Sequence, residues 1–173
     1  MGFQTVVNNL PAIGTPGLEV NPGQAIYTPF QYISDGTVEA GTFAFAVTNS
    51  GDGEKFNMAS IKGSAGNKVL GFVERNLIGS LGAGVEGSNL YVKGQGLPIA
   101  IRGQFYMTAT GAATEGQSVL CDPATGTVTY GTAGATNDTG WVVRLPQGVT
   151  TVAKGDLIIV ENFGLSVTPS AGA

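Results

Sequence analysis

Glycine and proline interrupt this chain so often that no ten consecutive residues are free of both. The longest uninterrupted runs are Thr42–Ser50 and Glu54–Lys62. A typical α-helix has about 11 residues, and both residue types destabilise a helix interior. A helix of ordinary length therefore fits almost nowhere, whereas short strands joined by tight turns fit throughout. The sequence predicts an all-β (mainly β) fold, either a small β-barrel or a sandwich of short strands.

The clearest local prediction is a β-hairpin over residues 116–130. Its first strand reads Ser-Val-Leu-Cys, with a period of two, and its second strand places Val128 and Tyr130 on one face. Between them, Asp122–Gly126 carries turn chemistry, because Asp can hydrogen-bond to the backbone ahead, Pro presets φ, and Gly accepts a positive φ. No residue of this hairpin has chemistry of its own at neutral pH, so the unit is predicted to be architectural.

Several other segments have the composition or the alternation of strands. Gly71 is predicted to mark a bulge or a close backbone contact, and Pro98 favours an edge position. The segment Glu54–Lys62 is compatible with either a short helical turn or a strand. The predicted strands are Thr42–Ser50, Val69–Val73, Leu90–Val92, Leu97–Ile101, Phe105–Thr108, Trp141–Leu145 and Leu157–Val160.

Residues 1–30 differ from the rest because four prolines recur there with glycines between them. Repeated proline favours an extended chain. We expect an extended N-terminal arm, laid on its own core or on a neighbour, with a disordered terminus as the alternative. The core domain is then 31–165, and 166–173 is a loose tail. The predicted interface residues of the arm are Phe3, Val6, Val7, Leu10, Ile13 and Leu18.

The residue types that many active sites and metal centres require are absent or isolated. The chain has no histidine and a single cysteine, Cys121. This excludes histidine-dependent triads, zinc sites that use histidine, and an internal disulfide. The acidic residues are dispersed in turns and at strand ends, so no pair stands out for a carboxylate-dependent hydrolase. We expect no enzyme activity, no cofactor and no metal.

Three short motifs resemble ligand-binding loops but lack the spacing or the neighbouring elements that such loops require. Gly82–Gly87 matches G-x-G-x-x-G, yet a predicted strand follows where a dinucleotide site needs a helix. Gly63–Lys68 lacks the spacing of a phosphate loop and is read as a turn. Asp52 and Glu54 lie among glycines, which is more typical of a hairpin tip than of a calcium loop.

Charge limits the classes of partner. Charged residues make up 12% of the chain, about half the usual fraction, and the net charge is −4. The eight Lys and Arg residues are scattered singly, so we expect no direct contact with nucleic acid. No run of 18 apolar residues exists, so we expect no membrane span. A surface this poor in charge is either covered by uncharged polar residues or buried against partners.

Six segments occur in a characteristic order, and that order resembles the structural cement, or capsid decoration, proteins of tailed bacteriophages. The similarity covers most of the chain. The sequence departs from the family pattern at Asn49–Gly53 and Gly82–Gly96. The segments are Met1–Asn8 at the start of the arm, Ala40–Ala44, Val69–Arg75, the hairpin at 116–128, Gly140–Val143 and Ala153–Val160.

The resemblance implies a non-enzymatic protein of the virion, made in the host cytoplasm and placed on the capsid outer surface. It implies a homotrimer that bridges and stabilises major capsid protein subunits. The alternative is a non-catalytic carbohydrate- or surface-binding β module of a phage tail or cell-surface assembly. That alternative calls for several exposed aromatic residues on one face, whereas the five tyrosines are spread along the chain.

Overall fold

The computed structural model describes residues 14–47, 57–64, 66–76 and 89–163. Within those ranges the chain forms thirteen strands and no helix, so the all-β prediction is confirmed. The strands are β1 Ile26–Tyr27, β2 Tyr32–Ser34, β3 Phe43–Val47, β4 Met58–Ser60, β5 Val69–Val73, β6 Gly96–Leu97, β7 Ile99–Thr108, β8 Ala113–Thr114, β9 Ser118–Cys121, β10 Val128–Gly131, β11 Asp138–Arg144, β12 Thr151–Val152 and β13 Leu157–Asn162.

Eleven of these strands form one sheet, in the order β10-β9-β11-β13-β7-β5-β3-β4-β2-β6, with β1 paired to β7 off this path. Strands β8 and β12 form a separate pair. Among the described strands every pairing is antiparallel except that of β2 with β4. The hydrogen-bonded path does not close into a barrel, so of the two predicted architectures the sandwich is the compatible one.

The sheet folds over on itself, as the positions of four aromatic rings show. Phe43 on β3 and Trp141 on β11 are four strand spacings apart along the path, which is about 19 Å in a flat sheet. Their ring centroids are 6.0 Å apart. Phe72 and Phe105 complete the cluster, at 5.7 Å and 5.9 Å from Trp141. The two halves of the sheet therefore face each other across this aromatic core.

A second core lies inside the part of the sheet that runs from β7 to β6. Strands β6 and β7 are consecutive in the chain and are separated only by Pro98. They nevertheless lie at opposite ends of the path β7-β5-β3-β4-β2-β6. The path must therefore curl until its ends meet at Pro98. Pro98 has no backbone N–H and lies where the ladder is interrupted. Tyr91 is the largest buried side chain of this core, which also contains Val38, Ala40, Ala44, Ala59, Val73, Leu97 and Ile99.

The predicted hairpin is confirmed as β9 and β10, in which Cys121 lies opposite Val128. The carbonyl of Asp122 accepts a 2.7 Å hydrogen bond from the Gly126 N–H. The Asp122 carboxylate accepts a 3.0 Å bond from the Ala124 N–H. Gly126 has φ of 74°, which an L side chain rarely adopts. The turn chemistry expected from the sequence is therefore the chemistry that closes this loop.

One of the weaker strand predictions is wrong, and one open alternative is decided. Leu90–Val92 forms no strand and contributes one isolated bridge, from Leu90 to Glu39. The ambiguous segment at 54–62 contains β4, a strand, in its described part. The glycine motif at 82–87 and the acids Asp52 and Glu54 lie outside the described residues.

Candidate assembly surface

The described part of the predicted arm runs along β7 of its own domain. Gly17 donates its N–H to the carbonyl of Tyr106 at 2.7 Å, and Tyr106 donates its N–H to Leu18 at 2.9 Å. Leu18, one of the predicted interface residues, is thus half-buried at its own β7. The other predicted interface residues, Phe3, Val6, Val7, Leu10 and Ile13, lie outside the described residues.

Arg75 fastens this segment to the core. Its backbone N–H donates to the carbonyl of Gly17 at 2.8 Å, and its guanidinium Nε donates to the carbonyl of Pro16 at 3.1 Å. A second guanidinium nitrogen donates to the side-chain oxygen of Asn89. A Cβ at Gly17 would lie 2.9 Å from the Cβ of Arg75, so the approach is close enough to require glycine. Residues 14–17 are therefore held firmly beside β5 and β7.

The loop that leads into β1 is organised by one carboxylate. Glu19 Oε1 accepts hydrogen bonds from the N–H groups of Gln24 at 2.8 Å and Ala25 at 2.6 Å, and Oε2 accepts from Gly23 at 2.9 Å. Hydrogen bonds to an ionised acceptor are among the stronger ones in proteins. Glu19 had no predicted role, although an acid just before the Asn-Pro-Gly turn at 21–23 is a signal that favours such a loop. Glu19 therefore sets where β1 begins.

Replacing Glu19 with glutamine is expected to loosen this loop without unfolding the domain. The amide has one acceptor oxygen in place of two and adds a donor, so at least one of the three backbone N–H groups loses its partner. Hydrogen exchange at Gly23, Gln24 and Ala25 should accelerate by about tenfold, which corresponds to about 1.4 kcal/mol. Glu39→Gln, at an exposed carboxylate, is the matched control. Unchanged exchange at the three amides in Glu19→Gln would show that the carboxylate does not hold the loop.

Exposed apolar side chains concentrate at β1. Three of the eight large apolar side chains that the described residues expose fall within Ile26–Phe30: Ile26 is 50% exposed, Tyr27 39% and Phe30 64%. Together with the exposed Pro29 they form what we call the β1 patch. Exposed apolar surface that is concentrated rather than scattered is typical of protein–protein contact sites. The β1 patch is therefore the candidate assembly surface.

A groove of about 480 Å³ opens beside the patch, and we call it the β1 groove. Buried Leu97 and Ile99 supply apolar lining, and Tyr27 and Phe30 contribute exposed aromatic rings. None of the lining residues carries a charge. They are Tyr27, Thr28, Pro29, Phe30, Gln31, Asn76, Gly96, Leu97, Pro98 and Ile99. Such a lining suits an uncharged, apolar chain segment.

Glu74 holds the ring of Tyr27 in place beside the groove. The Tyr27 hydroxyl donates a 2.7 Å hydrogen bond to Glu74 Oε2. Partial burial raises the pKa of Glu74; the bond from Tyr27 opposes that shift, and the charge of Glu19 adds to it. Burial also raises the pKa of Tyr27, and the bond to Glu74 adds to this shift. Tyr27 is therefore a neutral donor at physiological pH, and its ring is a fixed edge of the groove.

Within the described ranges, no three His, Cys, Asp or Glu side chains lie close enough together to hold a metal ion. No helix in this part of the chain is long and apolar enough to cross a membrane. Of the five tyrosines, all of which are described, only Tyr27 is exposed and Tyr91 is fully buried. The tyrosines therefore build no aromatic platform for a carbohydrate.

Cys121 is expected to resist thiol reagents while the protein is folded. Burial, with a smaller contribution from the charge of Asp122, raises its thiol pKa to about 12, and the thiolate is the reactive form. With the Ellman reagent at pH 8, labelling should occur only as the chain unfolds and should follow the denaturation curve. Because the folded pKa lies above the unfolded value, this thiol contributes stability that is lost as pH rises through the range from 9.0 to about 12. Rapid labelling under native conditions would contradict the buried position.

Comparisons with known proteins give one family match and one likeness in fold. A family model described as "Structural cement protein (E217 gp24/Pam3 gp6)" matches residues 3–162. A chain of the solved structure "The capsid of Myoviridae Phage XM1" superposes with a TM-score of 0.57 at 16% sequence identity, covering 94% of this chain and 99% of that chain. At that identity the likeness concerns the fold. A search of curated proteins finds no match.

Proposed function

Because the chain belongs to the phage structural cement protein family, we propose that it sits on the outer surface of a phage capsid and reinforces the shell. The family match over residues 3–162 carries this proposal, and it confirms the resemblance drawn from the sequence. In this proposal the protein bridges adjacent major capsid protein subunits and acts as a homotrimer. It works by binding alone, with no catalytic step and no cofactor.

Three features of the chain support a structural role. The described fold is a doubled-over sheet with two apolar cores, which suits a rigid spacer. Its charged fraction of 12% is low for a surface that meets only water. The β1 patch offers apolar area for contact with another protein. Many modest contacts repeated over a symmetric shell would bind far more tightly than one alone.

Capsid binding is tested with shells that lack this protein. Purified protein added to expanded shells should co-sediment with them in a saturable ratio and raise the temperature at which they release DNA. The protein should be visible as extra density on the outside of the shell by electron microscopy. Saturating protein that neither co-sediments with the shells nor shifts their heat stability would refute the proposal.

The trimer is tested in solution and on the shell. Sedimentation equilibrium should give three times the chain mass of 17.5 kDa, or three-fold density should appear on the shell. Monomeric protein in both settings would remove the trimer from the proposal while leaving capsid binding intact.

A further inference from the structure

We propose that residues Leu10–Ile13 lie across the outer face of strands β7, β13 and β11 of their own domain, where they cover Ile159. The outer face is the side of these strands that points away from the aromatic core, and its apolar members are Tyr106, Val142, Leu157 and Ile159. The arm is then laid on its own core, one of the two placements that its sequence leaves open, rather than on a neighbour. This placement goes beyond the proposed function and does not depend on it.

The outer face is apolar at its centre. Along β13, Ile158 and Val160 point into the core and are 1% and 0% exposed, whereas Ile159 between them is only half-buried. Ile159 lies opposite Tyr106 of β7 and Arg144 of β11, and residues directly opposite each other in an antiparallel sheet share one face. Tyr106, itself half-buried, and Ile159 therefore form an apolar pair on the outside of the sheet.

The charged side chains beside Ile159 are paired with one another. Arg144 donates from Nη1 to Glu115 Oε1 and from Nη2 to Glu161 Oε1, each at 3.2 Å. Glu161 also accepts a hydrogen bond from the side-chain amide of Gln104. A charged ligand would therefore find no unpaired counter-charge among these groups to offset its lost hydration, whereas an uncharged apolar segment needs none.

The N-terminal segment has the matching chemistry. Residues 1–18 are the longest stretch of the chain without a charged side chain. The four residues just before Gly14, Leu10–Ile13, are all apolar. Burying them against the outer face would remove apolar area from water on both partners, which is favourable.

The described part of the chain carries this segment to the outer face. Because both backbone groups of Tyr106 are bonded to Gly17 and Leu18, β13 pairs with the other edge of β7. A turn precedes this contact, closed by the Leu18 N–H and the Thr15 carbonyl at 3.0 Å. It places Gly14 on the ring of Tyr106, so closely that an added Cβ would lie 2.6 Å from a ring carbon. Followed toward the N-terminus, the chain moves from beside β7 to a position over it, and the next strand in that direction is β13.

The distances favour the segment of the same chain over any other occupant. Neighbouring strands are about 4.8 Å apart, so β13 and β11 lie about 5 Å and about 10 Å from β7. Four extended residues span about 13 Å, which takes the chain from Gly14 across β13 to β11. Because Ile13 is bonded to Gly14, its effective concentration at the outer face far exceeds that of a segment from a second copy or from another protein.

The test uses full-length protein with a photoreactive benzophenone amino acid in place of Leu10. Chains labelled with ¹⁴N and with ¹⁵N are mixed in denaturant, refolded together and irradiated, and the cross-linked peptides are identified by mass spectrometry. We expect cross-links to Leu157–Glu161 or Val142–Arg144, all of them within one chain. If about half of the cross-links joined differently labelled chains, a second copy would supply the segment and the proposal would be wrong. Cross-links to Tyr27–Gln31, or none to β13 and β11, would also overturn it.

Three substitutions in the benzophenone-carrying protein tie the cross-link to the outer face. Ile159→Asp places a charge at its centre and should reduce the yield of cross-links to β13 and β11 by about tenfold. Val92→Asp, at an exposed apolar side chain elsewhere, is the matched control and should leave the yield unchanged. Ile13→Asp alters the arm rather than the sheet, so it should keep the parent's circular dichroism spectrum and give a similar reduction. An unchanged yield in Ile13→Asp would contradict the proposal whether or not Ile159→Asp folds.

Capsid binding is measured separately on the same proteins. If shells bind the parent protein but the cross-links to β13 and β11 do not form, the placement of the arm is wrong and the proposed function stands. If those cross-links form within one chain but shells bind nothing, the proposed function is wrong and the placement stands.

Discussion

Replacing Trp141 with alanine is expected to lower the free energy of unfolding by about 3–5 kcal/mol. The side chain is 1% exposed, and its ring contacts Phe43, Phe72 and Phe105 on three other strands. Alanine would leave a cavity where the two halves of the sheet meet, and the surrounding strands could collapse into it only in part. Because Trp141 is the only tryptophan, unfolding in guanidinium chloride should be followed by far-UV circular dichroism.

Two control variants separate the aromatic core from aromatic residues in general. Trp141→Phe keeps a ring in the cluster and should lower the free energy of unfolding by less than Trp141→Ala does. Phe30→Ala removes a ring that is 64% exposed and should change the free energy of unfolding by less than about 0.5 kcal/mol. If Trp141→Ala lowered the free energy of unfolding by less than about 1 kcal/mol, the aromatic cluster would not be what holds the two halves of the sheet together.

Replacing Gly71 with alanine is expected to destabilise the domain by about 3 kcal/mol, the upper end of the usual range for overpacking. A Cβ at this position would lie 2.3 Å from the backbone oxygen of Ala100 and 2.9 Å from Cγ2 of Ile99. The obstacle is mostly backbone of β7, which cannot swing aside as a flexible side chain can. Strands β5 and β7 would have to separate, and with them the two cores. The measurement is the same denaturation experiment, together with the yield of soluble protein.

Gly111→Ala is the matched control for this substitution. Gly111 has no neighbouring atom within 4 Å of its ideal Cβ and no positive φ. Its replacement should be neutral or slightly stabilising, because alanine lowers the entropy of the unfolded chain. Equal effects of the two substitutions would show that the contact between Gly71 and Ala100 is not tight.

Part of this fold was predictable from the sequence because it depends on interactions between neighbouring residues. The hairpin at 116–130 was predictable because its turn residues and its alternation are set by neighbours in the chain. The close contact at Gly71 was predictable because a lone glycine inside an apolar strand usually marks one. Trp141 lies in the core, where burial of a large apolar ring is strongly favourable. The segment Leu90–Val92 was mispredicted, because strand composition alone supplies no pairing partner.

The candidate surface was much less predictable. The bond between Tyr27 and Glu74 joins residues 47 positions apart, and no local pattern connects them. The groove combines Tyr27–Gln31 with Gly96–Ile99, which are brought together by the pairing of β1 with β7 and of β2 with β6. The apolar residues of the arm were recognised from composition, but Pro29 and Phe30 were not singled out. Their exposure depends on how the rest of the sheet is arranged.

The β class, the tight turns and the scarcity of catalytic side chains follow from the sequence, because these depend on residue type and on neighbours within a few positions. The folding of one sheet that brings Phe43 against Trp141, and the curl of its path that closes at Pro98, depend on contacts between distant segments. Glycine and proline indicate where a chain can turn, but they do not determine which strands pair. Pairing is chosen by the burial of apolar side chains from distant segments, and that choice leaves the β1 patch and its groove exposed.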